Sequence, residues 1–314
     1  MASIWGRTIQ SDAARESLRG LPPLGARRLA LIALVASVAI PAAILLLALN
    51  AMLVVRAFIN VAAFWQGSAV DWSLLNSASH SPDPYAWATY RWSPVAAALL
   101  APITSMGILT WRVAQLAALA VFRDWRVVIG LMLTAPFWLD FVGGDAMIFV
   151  AAAGWAAYRG SRVGTLAWFL LAVLMPRPLM LPLTAWLLWR RPETRSWFTA
   201  IFLVHGALVL GSGHTVEWVG RLLSTSSREI AHHGNFAISH LIGPVWVPIG
   251  LALGALLTWK GRLGLASLAV QPYLFGYYLL MLVLEIGPGV LKPRGGGGAP
   301  RSPGAHRRGR RCAS

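Results

Sequence analysis

Apolar runs recur through most of the chain, and most of them are separated by short connections. They fall at roughly 29–55, 93–122, 126–142, 145–158, 163–175, 179–189, 197–212, 241–258 and 263–285. Hydrophobic residues make up 57% of the sequence and charged residues 12%, about half the charged share of a soluble domain. A helix satisfies its own backbone hydrogen bonds, so such runs predict helices embedded in a membrane. The expected fold class is all-α, a polytopic transmembrane helical bundle of about 8–10 spans.

The two ends of the chain differ from this apolar body. Residues 1–28 form a basic N-terminus that is expected to be cytoplasmic and retained, because no small-residue cleavage site follows a short apolar core. Residues 29–285 form the expected transmembrane domain. Residues 286–314 are rich in glycine and arginine and predict a disordered basic tail, which lipid headgroups would attract in preference to nucleic acid.

Basic residues in the short connections predict how the bundle lies in the membrane. Nine Lys or Arg residues fall in the connections 123–126, 158–162, 190–195 and 259–262, and the alternate connections hold few. Basic connections stay on the cytoplasmic side, so the alternate ones are expected to be extracytoplasmic. A multi-pass protein of the cell membrane is predicted, with these segments outside: 71–92, 140–145, 176–178 and a loop at 212–240.

Several apolar runs are expected to break into short hairpin or re-entrant helices. The run 93–122 is too long for one crossing and offers two break points, Pro102 and Gly107. Prolines on both sides of Arg177 predict two short helices that meet there. The run 263–285 predicts a last helix that either does not fully cross or lacks a following span, because a full crossing would leave the basic tail outside.

The stretch from Asp71 to Pro94 combines two carboxylates, one arginine and five aromatic rings. Asp71 follows the first span, where a partly apolar setting can raise the pKa of a carboxylate toward that of a general base. The other interpretations of Asp71 are a solvated loop carboxylate or an N-cap for residues 72–79. Asp83 precedes Pro84 and is expected to stabilise a turn.

Two arginines and two further aspartates lie on the same predicted face. Arg91 is next to a helix N-terminus and is equally consistent with a phosphate site and with a snorkelling arginine in an aromatic belt. Asp145 follows two glycines and could bind hydroxyl groups or cap the next helix, whereas Asp140 is expected to be exposed. Arg177 is consistent with phosphate binding or with a structural ion pair.

The predicted loop at 212–240 holds most of the histidines. Its polar residues include His214, Glu217, Arg228, Glu229, His232, His233, Asn235 and His240. They show no spaced set of metal ligands, so no metal site is predicted. His205 lies within an apolar run and is expected to be a hydrogen-bonded core residue. No nucleotide-binding glycine pattern is present, and no cofactor is predicted.

Taken in order, these motifs resemble the polyprenyl-phosphate-dependent glycosyltransferases of the GT-C class, and more narrowly glycosyltransferase family 87. The resemblance extends over about residues 60–285. Its motifs are Asp71, Tyr90–Pro94, Gly143–Asp145, Arg177–Pro178, Gly234–Ile238 and Gln271–Tyr273. The family usually has asparagine at the position of Asp145 and lysine at that of Arg177, and it has further C-terminal spans, so a truncated relative is considered.

The resemblance implies inverting transfer of a hexose, typically mannose, from a polyprenyl-phosphate donor to an extracytoplasmic glycan or glycolipid acceptor. Asp71 would be the catalytic base, on the extracytoplasmic side of the membrane. The implied partners are the two substrates and the lipid bilayer, with no metal and no nucleic acid. The implied substrate-binding residues are Tyr85, Tyr90, Arg91, Trp92, Asp145, Arg177, His233 and Asn235.

Two other functions are consistent with the sequence. One is a non-enzymatic polytopic protein, either a transporter or a lipid-handling component. A transporter would be expected to show broken helices in two related halves with charges near the bilayer midplane, whereas the polar residues here cluster on one predicted face. The other is an inactive, truncated relative of the glycosyltransferases.

Overall fold

The computed structural model describes residues 35, 37, 39–41, 43–55, 70–87, 90–230, 235 and 237–286. Within them the chain is helical and contains no strand, so the all-α prediction is confirmed for this part. The basic N-terminus (1–28) and the tail from residue 287 lie outside the described residues. The α-helices are α1 (Ala39–Val55), α2 (Val70–Ser79), α3 (Pro94–Ser105), α4 (Ile108–Leu119), α5 (Trp125–Met132), α6 (Ala135–Gly143), α7 (Met147–Tyr158), α8 (Arg162–Leu174), α9 (Leu181–Arg190), α10 (Thr194–Gly211), α11 (Thr215–Ile230), α12 (Ser239–Ile242), α13 (Trp246–Trp259) and α14 (Leu263–Val270).

Helix α7 lies at the centre of the bundle. Apart from Phe149, Ala156 and Tyr158, all of its residues are buried, as expected for a helix that is apolar on every side. Small residues let its neighbours approach closely. A Cβ atom on Gly154 would lie 2.9 Å from the Trp168 ring of α8, so this α7–α8 hairpin depends on the missing side chain.

The helix breaks fall where the sequence has glycine or proline. Of the two candidate break points in the run 93–122, the chain uses Gly107, whose φ of 86° favours glycine, while Pro102 stays inside α3. The two halves of this run are bent by 106°, and α5 and α6 by 73°. The predicted pair of short helices at Arg177 is also confirmed, as α8 and α9 joined through a 3₁₀ turn, Pro178–Met180.

These breaks reduce the number of helices that can cross a bilayer unaided. In the described part of the chain, Thr194–Gly211 and Ser239–Trp259 are long and apolar enough, and two more candidates arise if each bent pair counts as one span. A membrane protein is thus supported, while the count of about 8–10 spans stays a prediction.

Two predicted boundaries are wrong. The segment 212–240 is not a loop throughout, because Thr215–Ile230 forms the amphipathic helix α11. The run 263–285 is not one helix, because α14 ends at Val270 and a 3₁₀ helix, Gly276–Glu285, follows after Pro272. Proline lacks the amide hydrogen that a continuous helix requires.

Candidate functional site

One cavity brings together residues from most of the predicted polar segments. We call it the Asp71 cavity, and its volume is about 900 Å³. Its charged and titratable lining residues are Asp71, Arg91, Asp145, Arg177 and His205, together with Tyr90, Tyr273, Tyr277 and Tyr278. The remaining walls are largely apolar, as in most small-molecule sites.

Asp145 and Arg177 form a buried ion pair on one wall. Arg177 Nη2 lies 3.0 Å from Asp145 Oδ1 and Nη1 lies 3.3 Å from Oδ2, so the contact is bidentate. The guanidinium carbon of Arg177 also lies 5.3 Å from the centre of the Tyr278 ring. Of the two interpretations left open for Arg177, the structure contains the ion pair. Arg177 stays charged whatever the pH, because arginine does not deprotonate in proteins.

A second carboxylate, Asp140, supports this wall from behind. Its side chain is fully buried, so the expectation that Asp140 is exposed is wrong. Its two oxygens accept hydrogen bonds from the amides of Met147 (2.8 Å) and Ile148 (3.2 Å) at the start of α7. The cap that was considered for Asp145 is therefore made largely by Asp140. The Asp145 side chain accepts only one such bond, from the amide of Ala146 at 2.7 Å.

Gln115 links the two carboxylates to α4. Its Nε2 group donates to the main-chain oxygen of Asp145 at 2.9 Å, and to the main-chain oxygen and Oδ2 of Asp140 at 3.3 Å each. Its Oε1 atom accepts a bond from Arg112, which also donates to the Val142 carbonyl. This network was not predicted, although the sequence carries a signal for it: Arg112 and Gln115 are two polar side chains three residues apart in an otherwise apolar helix.

Asp71 lies in the first turn of α2 rather than at an N-cap, since the helix begins at Val70. Its carboxylate approaches Gly143, where an added Cβ atom would lie 2.9 Å from Asp71 Oδ2. Burial raises the pKa of Asp71 to about 7; the negative charge of Asp145 adds to this rise and Arg177 opposes it. Asp71 can therefore exchange a proton near neutral pH.

The segment between α2 and α3 is held by its own aromatic hydroxyls. Tyr90 donates to the Ser93 carbonyl at 3.1 Å, and burial raises the Tyr90 pKa, so the hydroxyl stays protonated. Tyr85 donates to the Trp92 carbonyl at 2.9 Å. Tyr90, Arg91 and Trp92 line the Asp71 cavity, whereas Tyr85 is not among its lining residues. The predicted turn at Asp83 is present, with Asp83 Oδ1 accepting from the Tyr85 amide.

Helix α11 is hydrogen-bonded to the same segment, the one between α2 and α3. Trp218 Nε1 donates to the Arg91 carbonyl at 3.3 Å, and Arg221 donates to the Tyr85 carbonyl at 2.7 Å. Trp218 and Leu222 line the cavity. The part of the chain that was predicted to be an open loop therefore forms a wall of the candidate site.

The remaining predicted residues lie elsewhere. Asn235 is buried and accepts bonds from the amides of Ala237 and Leu274, so it connects its own segment to the chain after α14 instead of lining the cavity. His233 lies outside the described residues.

In the described part of the chain, no three His, Cys, Asp or Glu residues form a group that could hold a metal ion.

His205 lies in the core, as predicted, but its hydrogen bonding differs from the prediction. It is buried at 7% exposure and packs edge-on against the Trp218 ring, as a core residue would. Its Nε2 atom, however, has no hydrogen-bond partner among the described residues, so it is not the satisfied core histidine that was expected. Because His205 lines the Asp71 cavity, a bound molecule could satisfy this atom.

Comparisons of the chain with protein-family models, with curated proteins and with solved structures found no match.

Proposed function

We propose that the protein transfers a hexose from a polyprenyl-phosphate donor to a hydroxyl group of a glycan or glycolipid acceptor, with Asp71 as general base. The observation that carries the proposal is the position of Asp71, whose pKa is raised to about 7 in a cavity that also contains Arg91 and Arg177. A base with a pKa near the working pH and cations nearby are what this reaction needs.

The proposed step is a single displacement. Asp71 takes the proton of the acceptor hydroxyl, and the acceptor oxygen forms a bond to the anomeric carbon. The bond from that carbon to the phosphate oxygen breaks, and its electron pair leaves with the polyprenyl phosphate. One direct displacement inverts the anomeric centre.

The charges of the cavity suit an anionic donor. Arg91 and Arg177 contribute two positive charges, and Asp145 offsets one of them through the ion pair. While Asp71 is protonated, one positive charge is left over, which favours a phosphate group. Four of the lining aromatics, Tyr273, Phe275, Tyr277 and Tyr278, offer ring faces and edges against which a sugar can pack.

The experiment that tests the proposal uses the full chain in proteoliposomes with polyprenyl-phosphate mannose, labelled in the sugar, and an extracted glycolipid fraction as acceptor. Asp71→Asn is expected to lower the transfer rate by about 10²–10⁴, the usual contribution of a general base. The amide keeps the size of the side chain but cannot accept the proton.

Asp124→Asn is the matched control. Asp124 caps α5 through the Arg126 amide and does not line the cavity, so its variant should retain the rate of the unaltered protein. Full transfer by Asp71→Asn would remove Asp71 as the base. No transfer by the unaltered protein with any polyprenyl-phosphate hexose would overturn the proposed reaction itself.

A further inference from the structure

A second cavity lies between the α3–α4 pair and the α7–α8 hairpin, and we call it the long groove. Its volume is about 1460 Å³, above the roughly 300–1,000 Å³ of typical small-molecule sites. Small and branched apolar side chains such as Ala118, Ala152, Leu100 and Leu171 form most of its walls. Space of this size and polarity fits hydrocarbon chains better than a polar metabolite.

The long groove follows α7 from end to end. Its lining runs from Ala146 to Arg159, which corresponds to about 20 Å along a helix axis. Trp92, which also lines the Asp71 cavity, and Met175 lie at the end nearest that cavity. The opposite end therefore lies near the other surface of the bundle, about one helix length from Asp71.

The only charged side chains in the described lining are two arginines, and both lie at this far end. Arg159 stacks 4.7 Å from the centre of the Trp155 ring, and Trp155 contacts Phe122, the neighbour of Arg123 in the chain. Both arginines are exposed, and neither makes an ion pair within the described residues. They are placed to meet an anion at the mouth of an apolar space.

We propose that the long groove binds an anionic glycerophospholipid from the leaflet opposite the Asp71 cavity. Its acyl chains would lie along α7 and α8, and its phosphate would contact Arg123 and Arg159. The polyprenyl chain of a donor is the competing occupant, but a chain that enters at Trp92 would put its phosphate at the wrong end and leave the two arginines without a ligand. The inference does not depend on glycosyl transfer.

The test measures lipid retention by native mass spectrometry on the purified full chain, with phosphatidylglycerol and phosphatidylcholine as probes. Phosphatidylglycerol is expected to bind more tightly. Each arginine at a membrane surface contributes about a fivefold gain for an anionic lipid, so the double variant R123Q/R159Q should bind phosphatidylglycerol about thirtyfold more weakly. Its affinity for phosphatidylcholine should not change.

Matched controls separate the groove from general surface charge and from misfolding. Arg162→Gln removes a neighbouring exposed arginine that does not line the groove, and it should leave phosphatidylglycerol binding unchanged. Ala152→Leu fills the groove without altering charge and should weaken binding of this lipid, whereas Ala252→Leu on the exposed face of α13 should not. Thermal unfolding of each variant verifies that it is folded.

Three results would overturn the inference. They are equal retention of the two lipids by the unaltered protein, an equal loss in Arg162→Gln, and displacement of phosphatidylglycerol by uncharged polyprenol at equal concentration. The last result would assign the groove to an isoprenoid chain. Because no transfer reaction is measured, failure of the proposed glycosyl transfer would leave this test intact.

Discussion

At the scale of single residues, the decisive property is the protonation of Asp71. Its carboxyl group is held in a partly apolar cavity next to a carboxylate that already has its own arginine. Burial is the main reason why the pKa of Asp71 rises, and the negative charge of Asp145 adds to it. Arg177 opposes the rise only in part, because it is already paired with Asp145.

Activity is expected to depend on pH through this group. If Asp71 is the base, kcat/KM should rise with pH and level off above an apparent pKa of about 7. An anionic donor adds negative charge, which favours the protonated carboxyl, so the apparent pKa for kcat should lie at or above the value for kcat/KM. A rate profile on the labelled-mannose assay measures both, and a kcat/KM profile that is flat between pH 5 and 9 would exclude Asp71 as the base.

The stability of the folded protein should fall with rising pH, whereas activity should rise. The folded protein holds a proton on Asp71 up to about pH 7, whereas the unfolded chain loses it near the ordinary value of 3.8. The folded state therefore binds more protons in this window, and the free energy of unfolding contributed by Asp71 falls as pH rises through it. The unaltered protein loses this contribution as the pH rises, and Asp71→Asn does not. The difference in Tm, Asp71→Asn minus the unaltered protein, should therefore be more positive at pH 8 than at pH 5.

Asp140 and Asp145 show that candidate residues are easier to predict than the contacts they make in a site. From the sequence, Asp145 was open to two roles, binding hydroxyl groups or capping the next helix, and Asp140 was expected to be exposed. The chain reverses at Gly144, whose φ is 72°, and this reversal carries Asp140 back to the amides of α7. A residue that caps a helix from the other side of a chain reversal does not directly precede that helix in the sequence. The usual N-cap pattern therefore does not reveal it.

At the scale of elements, the helix breaks were predictable and the contacts between helices were not. Gly107 and the two prolines around Arg177 act through local backbone geometry, which one sequence specifies. The meeting of α4 with the turn before α7 depends on packing between distant segments. Helix α11 was missed for a different reason, since its polar face and histidine-rich surroundings gave it the composition of a loop.

The network around Gln115 gives a prediction for these elements. Gln115→Leu keeps the approximate size of the side chain but removes the donor to Asp140 and to the Asp145 carbonyl. Asp140 keeps the amides of Ile148, Gly144 and Asp145 as donors. The Asp145 carbonyl loses the bond from Gln115, and Arg112 loses the bond to Gln115 Oε1, so stability is expected to fall by about 1–3 kcal/mol. The loss of a fixed Asp145 should also lower kcat more than it raises KM for the donor, because the reacting geometry is loosened.

Thr110→Val provides the comparison on the same helix. Thr110 is half-buried, and its hydroxyl bonds to the Met106 carbonyl one turn earlier without joining the network, so its variant should change stability by less than about 0.5 kcal/mol. Chemical denaturation in detergent measures both variants. Equal stability of Gln115→Leu and Thr110→Val would show that the network does not support the wall of the Asp71 cavity.

At the scale of the whole molecule, composition predicted the all-α membrane class, because apolar content and segment length follow directly from the bilayer. The number of crossings could not be read in the same way. Helices α7 and α8 have 12 and 13 residues, too short to span about 30 Å as straight helices. Short helices of this kind need neighbours around them, and a single sequence does not specify which segments are neighbours.

The orientation of the whole bundle in the membrane can be tested with single cysteines. The basic connections predict that Arg159 and Arg162 lie on the cytoplasmic side, and α7 separates that end from the Asp71 cavity. The chain has one cysteine, Cys312, so a Cys312→Ser background allows single probes. Ala86→Cys, at an exposed position near the cavity, should react with an impermeant maleimide on intact cells.

Ser161→Cys, which is exposed at the other end of the hairpin, should react only after the membrane is permeabilised. The reverse pattern would invert the topology and place Asp71 on the cytoplasmic side, where nucleotide sugars and not polyprenyl-phosphate sugars would be the expected donors. Labelling of both cysteines on intact cells would mean that α7 and α8 do not separate two aqueous compartments. In that case the long groove could not open to the opposite leaflet, so the same pair of cysteines tests the geometry on which the lipid proposal depends.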